Sequence, residues 1–157
     1  VKYKKQTVSI SYDSRREGFT DNLILESEEL PSPEFVDALK SLKPACCEML
    51  EIDGNNQRRI HPYGVSFSYD SDGGISAVIS FMFDIPDTGN AVVINTPPSK
   101  KCDVSTESVD ALWDMVKECK AYIDGKRAQT NLFDAEQPHD ADETVPADVK
   151  PAELLDV

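Results

Sequence analysis

A chain of 157 residues with a formal net charge of −13 has room for one domain of two packed layers and little more. Its 16 Lys and Arg stand against 29 Asp and Glu, a long-range field that repels phosphate and disfavours duplex DNA binding through general electrostatics. Proteins, small anions at a local site and single strands gripped by a local basic patch remain as partners.

The four cysteines are Cys46, Cys47, Cys102 and Cys119; they form no C-x-x-C pair, and only His61 and His139 are present to complete a zinc site. Reduced thiols, no metal and no cofactor are therefore expected. No apolar run approaches the roughly 20 residues of a membrane span, and the start VKYKKQTVSI has no signal-peptide core. These features predict a soluble, cytoplasmic protein that does not meet a membrane.

Val8, Ile10 and Tyr12 alternate with Thr7, Ser9 and Ser11, the period-two pattern of a strand with one buried face. The charged stretch Asp13 to Gly18 (DSRREG) reads as a turn, and Asn22 to Glu26 (NLILE) as a second strand pairing back in a hairpin. Lys2, Lys4, Lys5, Arg15 and Arg16 make this end locally positive, either as a solvated edge that discourages strand pairing or as a ligand contact.

Pro31-Ser32-Pro33-Glu34 starts a helix: Ser32 suits the cap, Pro33 the first turn, and Glu34 the positive end of the dipole. Phe35, Leu39, Leu42, Cys46 and Met49 form its apolar stripe. Pro44 interrupts the ladder, which predicts a kink or two shorter helices. Packing explains Cys46 and Cys47 at least as well as reactivity does.

From Tyr63 the period returns to two. Val65, Phe67 and Tyr69, the turn Asp70 to Gly74, then Ile75, Ala77, Ile79, Phe81 and Phe83 predict a hairpin. DSDGG lacks the later ligands of a calcium loop and reads as turn chemistry. The continuous apolar run Ala91 to Asn95 (AVVIN) predicts a strand covered on both faces, stopped by Pro97-Pro98. A final amphipathic helix begins at a Ser105 or Thr106 cap. Its stripe is Val109, Leu112, Val116, Cys119 and Ile123, widened by Trp113, Met115 and Tyr122, with Gly125 as its stop. Leu112 and Trp113 are both expected in the core.

The resulting class is α+β: an antiparallel sheet of about five strands with two main helices on one face, in the order β-β-α-β-β-β-α. The domain is expected to span 1–133. Residues 134–157 hold eight acids against the single Lys150, with three prolines and no aromatic residue, the composition of a disordered tail.

No phosphate loop, dinucleotide fingerprint, G-x-S-x-G elbow or H-E-x-x-H helix occurs, and the acids are too numerous for spacing to single out a catalytic pair, so an enzyme is not expected. The candidate nucleic-acid or anion-binding residues are Lys4, Arg15, Arg16, Arg58, Arg59, His61, Tyr63, Lys126 and Arg127; Tyr3, Tyr12 and Phe67 join Tyr63 as candidate stacking groups. The run Arg58-Arg59-Ile60-His61-Pro62-Tyr63 crowds basic, imidazole and phenolic groups together, and reads equally as a solvated loop. Leu132, Phe133, Leu154 and Leu155 are candidate partner-binding residues.

INTPPSK (Ile94 to Lys100) and the helix end YIDGKRAQTNLFD (Tyr122 to Asp134) resemble small proteins of tailed-phage and prophage recombination or replication modules. The resemblance covers about the last third of the chain and carries no catalytic motif. It implies proteins that handle single-stranded DNA or counter host enzymes, in the cytoplasm of a bacterial host. A folded body with an acidic end also resembles single-stranded DNA-binding proteins, whose tails recruit partners or compete with DNA; those tails finish in an aromatic tip, whereas this one ends Leu154-Leu155-Asp156-Val157. Two functions follow as expectations: a non-enzymatic accessory of phage-type DNA metabolism that binds single-stranded DNA or a recombination or replication protein, its tail recruiting or autoinhibitory; or an acidic inhibitor or decoy of the anti-defence type that binds a host protein or small anionic ligand.

Overall fold

The computed structural model describes residues 1–129. The expected tail and the candidates Leu132, Phe133, Leu154 and Leu155 lie outside the described residues.

The period-two segments do form an antiparallel sheet, of six strands rather than five. They are β1 (Lys2–Lys4), β2 (Thr7–Arg16), β3 (Phe19–Ser27), β4 (Ile60–Tyr69), β5 (Ile75–Asp84) and β6 (Ala91–Asn95), in the spatial order β3-β2-β1-β4-β5-β6. The central β1 was not legible in the sequence. Three residues, KYK, carry no period, and the strand exists because it pairs with β2 on one side and with Gly64 of β4 on the other. Charge at DSRREG does not end β2: cross-strand pairs from Asp13↔Asn22 to Arg16↔Phe19 carry the hairpin out to Arg16. Only Glu17 and Gly18, both at positive φ, make the turn, as two-residue hairpins with right-handed strand twist require.

Three helices cover one face: α1 (Pro33–Lys40), α2 (Lys43–Leu50) and α3 (Thr106–Ile123). Ser32 caps α1, its hydroxyl accepting from the Phe35 N–H at 3.4 Å. Pro44 splits the predicted long helix as its chemistry demands. With no N–H to give, it sits in the first turn of α2, where that donor has no intrahelical partner in any case. Ser105 caps α3, accepting from the Ser108 N–H at 3.2 Å. Gly125, at φ 105°, ends the helix.

The core lies between sheet and helices. Val8, Ile60, Val65, Ile79 and Phe81 of the sheet meet Phe35, Leu42, Leu112, Met115 and Tyr122 of the helices, all essentially without solvent contact. Two expectations fail here. Trp113 lies beside the stripe, 40% exposed and leaning on Tyr69 with ring centroids 6.3 Å apart. The run AVVIN is an edge strand, with Val92 and Val93 exposed, because β6 pairs only with β5 and the next segment turns away at Thr96.

Among the described residues no helix covers the other face of the sheet. Pairing places Lys2, Lys4, Ser9, Ser11, Asp13, Arg15, Ile24, Glu26, His61, Ser66, Ser68, Met82, Asp84 and Val93 there, most of them exposed. The acids of the helical layer, Glu34, Asp37, Glu48, Asp110, Asp114 and Glu118 among them, lie on the opposite side. Both signs of charge occur on the open face, where Asp13, Glu26 and Asp84 share it with Lys2, Lys4 and Arg15. Among the described residues no helix is long and apolar enough to cross a membrane.

Candidate nucleic-acid interface

The nine sequence-selected cations and aromatics fall in three places. Lys4, Arg58, Arg59, His61 and Tyr63 converge at one end of the sheet, where β1 turns into β2 and β4 begins. Arg15 and Arg16 sit at the tip of the β2–β3 hairpin. From Thr7, which pairs with Lys4, to Arg15 is eight residues of strand, about 27 Å at the usual rise. Lys126 and Arg127 lie on the helical side, so no single basic face unites the set.

Tyr63 owes its position to a bulge. The β4–β5 register runs regularly down to Gly64↔Ser80, then shifts so that Pro62 faces Phe81. Tyr63 is the extra residue, and bulges of this sort re-aim a side chain. The Lys4 ammonium lies over its ring, 5.5 Å from the centroid. Beside it, His61 Nε2 meets Asp84 Oδ2 at 2.6 Å. Arg59 stacks on the Phe83 ring at 4.2 Å, donates from Nε to the Asp84 carbonyl at 2.8 Å and reaches Asn56 Oδ1 at 3.1 Å. Arg59 and His61 are therefore held by the protein. The salt bridges among the described residues engage neither Lys4 nor Arg58, both exposed.

Asp84 and Asn56 were not singled out in the sequence. Counted regularly from the Asp70–Gly74 turn, the register sets His61 and Asp84 on opposite faces; only the one-residue shift at Tyr63 brings them together, and that shift was not legible in the sequence.

Arg127 builds structure instead. Its guanidinium lies on the Tyr122 ring at 3.6 Å, donates from Nε to Glu29 Oε2 at 2.6 Å and also bonds the Tyr122 carbonyl. The Tyr122 hydroxyl donates to the Glu29 carbonyl at 2.8 Å, and the Ala128 N–H to Leu30 O at 2.9 Å. Together these bonds strap the end of α3 to the β3–α1 connection. Lys126 bonds Glu118 at 3.0 Å and lies 3.6 Å from Glu34; the hydrogen bond to Glu118 leads in holding its pKa above the usual lysine value.

Of the proposed stacking aromatics, Tyr3, Tyr12 and Phe67 face the helices and are partly buried against the core. Tyr63 alone of the four belongs to the basic end. Two of the thiols are quiet: burial first, then the neighbouring Cys47, pushes Cys46 up to about 12, and burial pushes Cys119 up to about 11, leaving almost no nucleophilic thiolate on either at neutral pH. Between α1 and α3 runs a shallow groove of about 250 Å³ lined by Glu34, Asp37, Ser41, Asp114, Lys117 and Glu118. No group of three or more His, Cys, Asp or Glu side chains among the described residues is placed to hold a metal.

Compared with family models, curated proteins and solved structures, the chain matches none.

Proposed function

We infer that this chain is a non-enzymatic accessory protein of phage-type DNA metabolism, and that its body binds single-stranded DNA at the Lys4–Tyr63 end of the open sheet face. The observation that supports this reading is the bulge at Tyr63. It sets one aromatic ring at the rim of a serine-rich surface that no described helix covers, with the Lys4 ammonium over it. A ring offers a base its face whatever the sequence, and an unpaired ammonium beside it suits the phosphate that follows. The acidic C-terminal segment competes for the same cations or recruits a protein partner.

The test is a titration of a labelled single strand with wild type, Tyr63→Ala, Lys4→Ala and a chain lacking residues 134–157, at low and moderate salt. Tyr63→Ala should weaken binding by about 1–3 kcal/mol, the worth of one stacked base. Lys4→Ala should reduce the salt dependence by about one phosphate contact, and truncation should strengthen binding at low salt. Equal affinity of wild type and Tyr63→Ala would defeat the assignment of the site. Absence of binding by every form would favour the second reading, an acidic inhibitor whose carboxylate-lined groove between α1 and α3 takes a basic protein surface.

A further inference from the structure

Among the described residues nothing covers the outer edge of β6, and apart from its shortness the strand lacks the devices that keep sheet edges apart. Ala91–Asn95 contains no charge, no proline and no bulge. Val93 is 57% exposed, beside half-exposed Val92, Met82 and Ile85. The opposite edge strand, β3, carries Asp21 and Glu26. An uncharged, flat, apolar edge is a template for another strand.

Its hydrogen-bonding pattern can be read from the two bonds that flank it. Ile85 N–H donates to Asn90 O, and Thr96 N–H to Ile79 O, each at 2.9 Å. Antiparallel ladders alternate bonded and non-bonded pairs, so Asn90, Val92, Ile94 and Thr96 turn their peptide groups toward β5. Ala91, Val93 and Asn95 turn theirs outward. Pro97 has no N–H and ends the row.

We propose that this edge pairs with β6 of a second copy of the chain, antiparallel about a two-fold axis at Val93. In that register Val93 faces Val93, and Ala91 faces Asn95 in both directions, so every outward peptide group meets an outward partner. Few edges match themselves in this way without placing like charges opposite each other, which a chain of net charge −13 must avoid. The same two-fold brings the Pro86–Asn90 turn, with exposed Asp87, toward the segment after Thr96 of the other copy, which carries exposed Lys101 and Lys100, the latter also bridged to Asp70 at 3.3 Å. Opposite charges therefore flank the apolar centre at both ends. An axis normal to the sheet keeps all helices on one side and joins the two open faces into one.

The test is sedimentation equilibrium of the full chain from micromolar to near-millimolar concentration, with Val93→Lys and Val93→Glu alongside. Wild type should shift from monomer to dimer as concentration rises. Each variant should dimerise at least about tenfold more weakly, since the axis sets two like charges against each other, and an equimolar mixture of the two should recover dimer. In wild type, amide resonances of Ala91, Val93 and Asn95 should move with concentration, a readout that needs no variant. A wild type that stays monomeric throughout would overturn the proposal, as would a dimer indifferent to both substitutions or one that leaves those three amides unmoved. Capture of an unrelated extended peptide at β6 by a monomeric wild type would assign the edge to a different partner.

Discussion

Leu112 and Trp113 are neighbours in the chain and opposites in the fold. Leu112 is 1% exposed and Trp113 40%, so Leu112→Ala should cost about 2–5 kcal/mol and Trp113→Ala distinctly less, measured by urea unfolding. Equal losses would mean that the Trp113–Tyr69 contact belongs to the core. Glu48 is a second residue with a defined consequence. Burial raises its pKa, but the Ser105 N–H at 2.9 Å, the Ser105 hydroxyl at 2.8 Å and the Ser108 hydroxyl together outweigh that and hold it below the ordinary carboxylate value. A depressed folded pKa stabilises the protein above the unfolded value, and the contribution is lost as pH falls through the folded one. Because the carboxylate is largely solvent-accessible, screening limits its worth to about 1 kcal/mol or less. Glu48→Gln should be less stable than wild type near neutrality and converge with it in acid; a gap that persists in acid would point to packing instead.

At the scale of elements, the segment after β6 does for the start of β5 what a longer β6 would otherwise do. Ser99 Oγ accepts from the Ala77 N–H and Thr96 Oγ1 from the Ile79 N–H, each at 2.9 Å, and all four residues are buried. Ser99→Ala strands a buried amide, a loss of about 1–3 kcal/mol that chemical denaturation would register. A change within a few tenths would show that water reaches Ala77.

The sequence speaks clearly where chemistry is local. The β4–β5 hairpin announces itself through period two around Asp70–Gly74, the split at Pro44 follows from a missing donor, and α3 from a stripe between a Ser cap and a Gly stop. It is silent where a neighbour decides. An unbroken apolar run reads as buried, yet AVVIN is at an edge because nothing in it records how many strands lie beyond. Lys126 and Arg127 look as available as Lys4 until Glu118 and Glu29, remote in sequence, are placed beside them. Of the candidate site, the cluster from Arg58 to Tyr63 was visible; the arrival of Lys4 over Tyr63 depended on the pairing of β1 with β4.

At the scale of the molecule, β1 is a seam. Three residues join the β2–β3 hairpin to the β4–β5–β6 meander, and Lys2↔Gly64 is the single register pair on the β4 side. Gly64 eases the close approach there, since a Cβ would come within 3.2 Å of Val1 O and 3.3 Å of Lys2 Cγ. Below the seam Val8 and Ile10 anchor β2 in the core; beyond it the ribbon from Asp13 to Asn22 has every residue but Ser14 exposed. An unsupported two-stranded ribbon is marginal in water, so it opens on its own, well before the body unfolds. Hydrogen–deuterium exchange should resolve two tiers, with amides of Asp13–Asn22 exchanging far faster than those of Val65 and Ile79, and a single cooperative tier would refute this. The hairpin tip, with Arg15, Arg16 and the 75% exposed Phe19, is then a limb whose stiffness is set by whatever it touches.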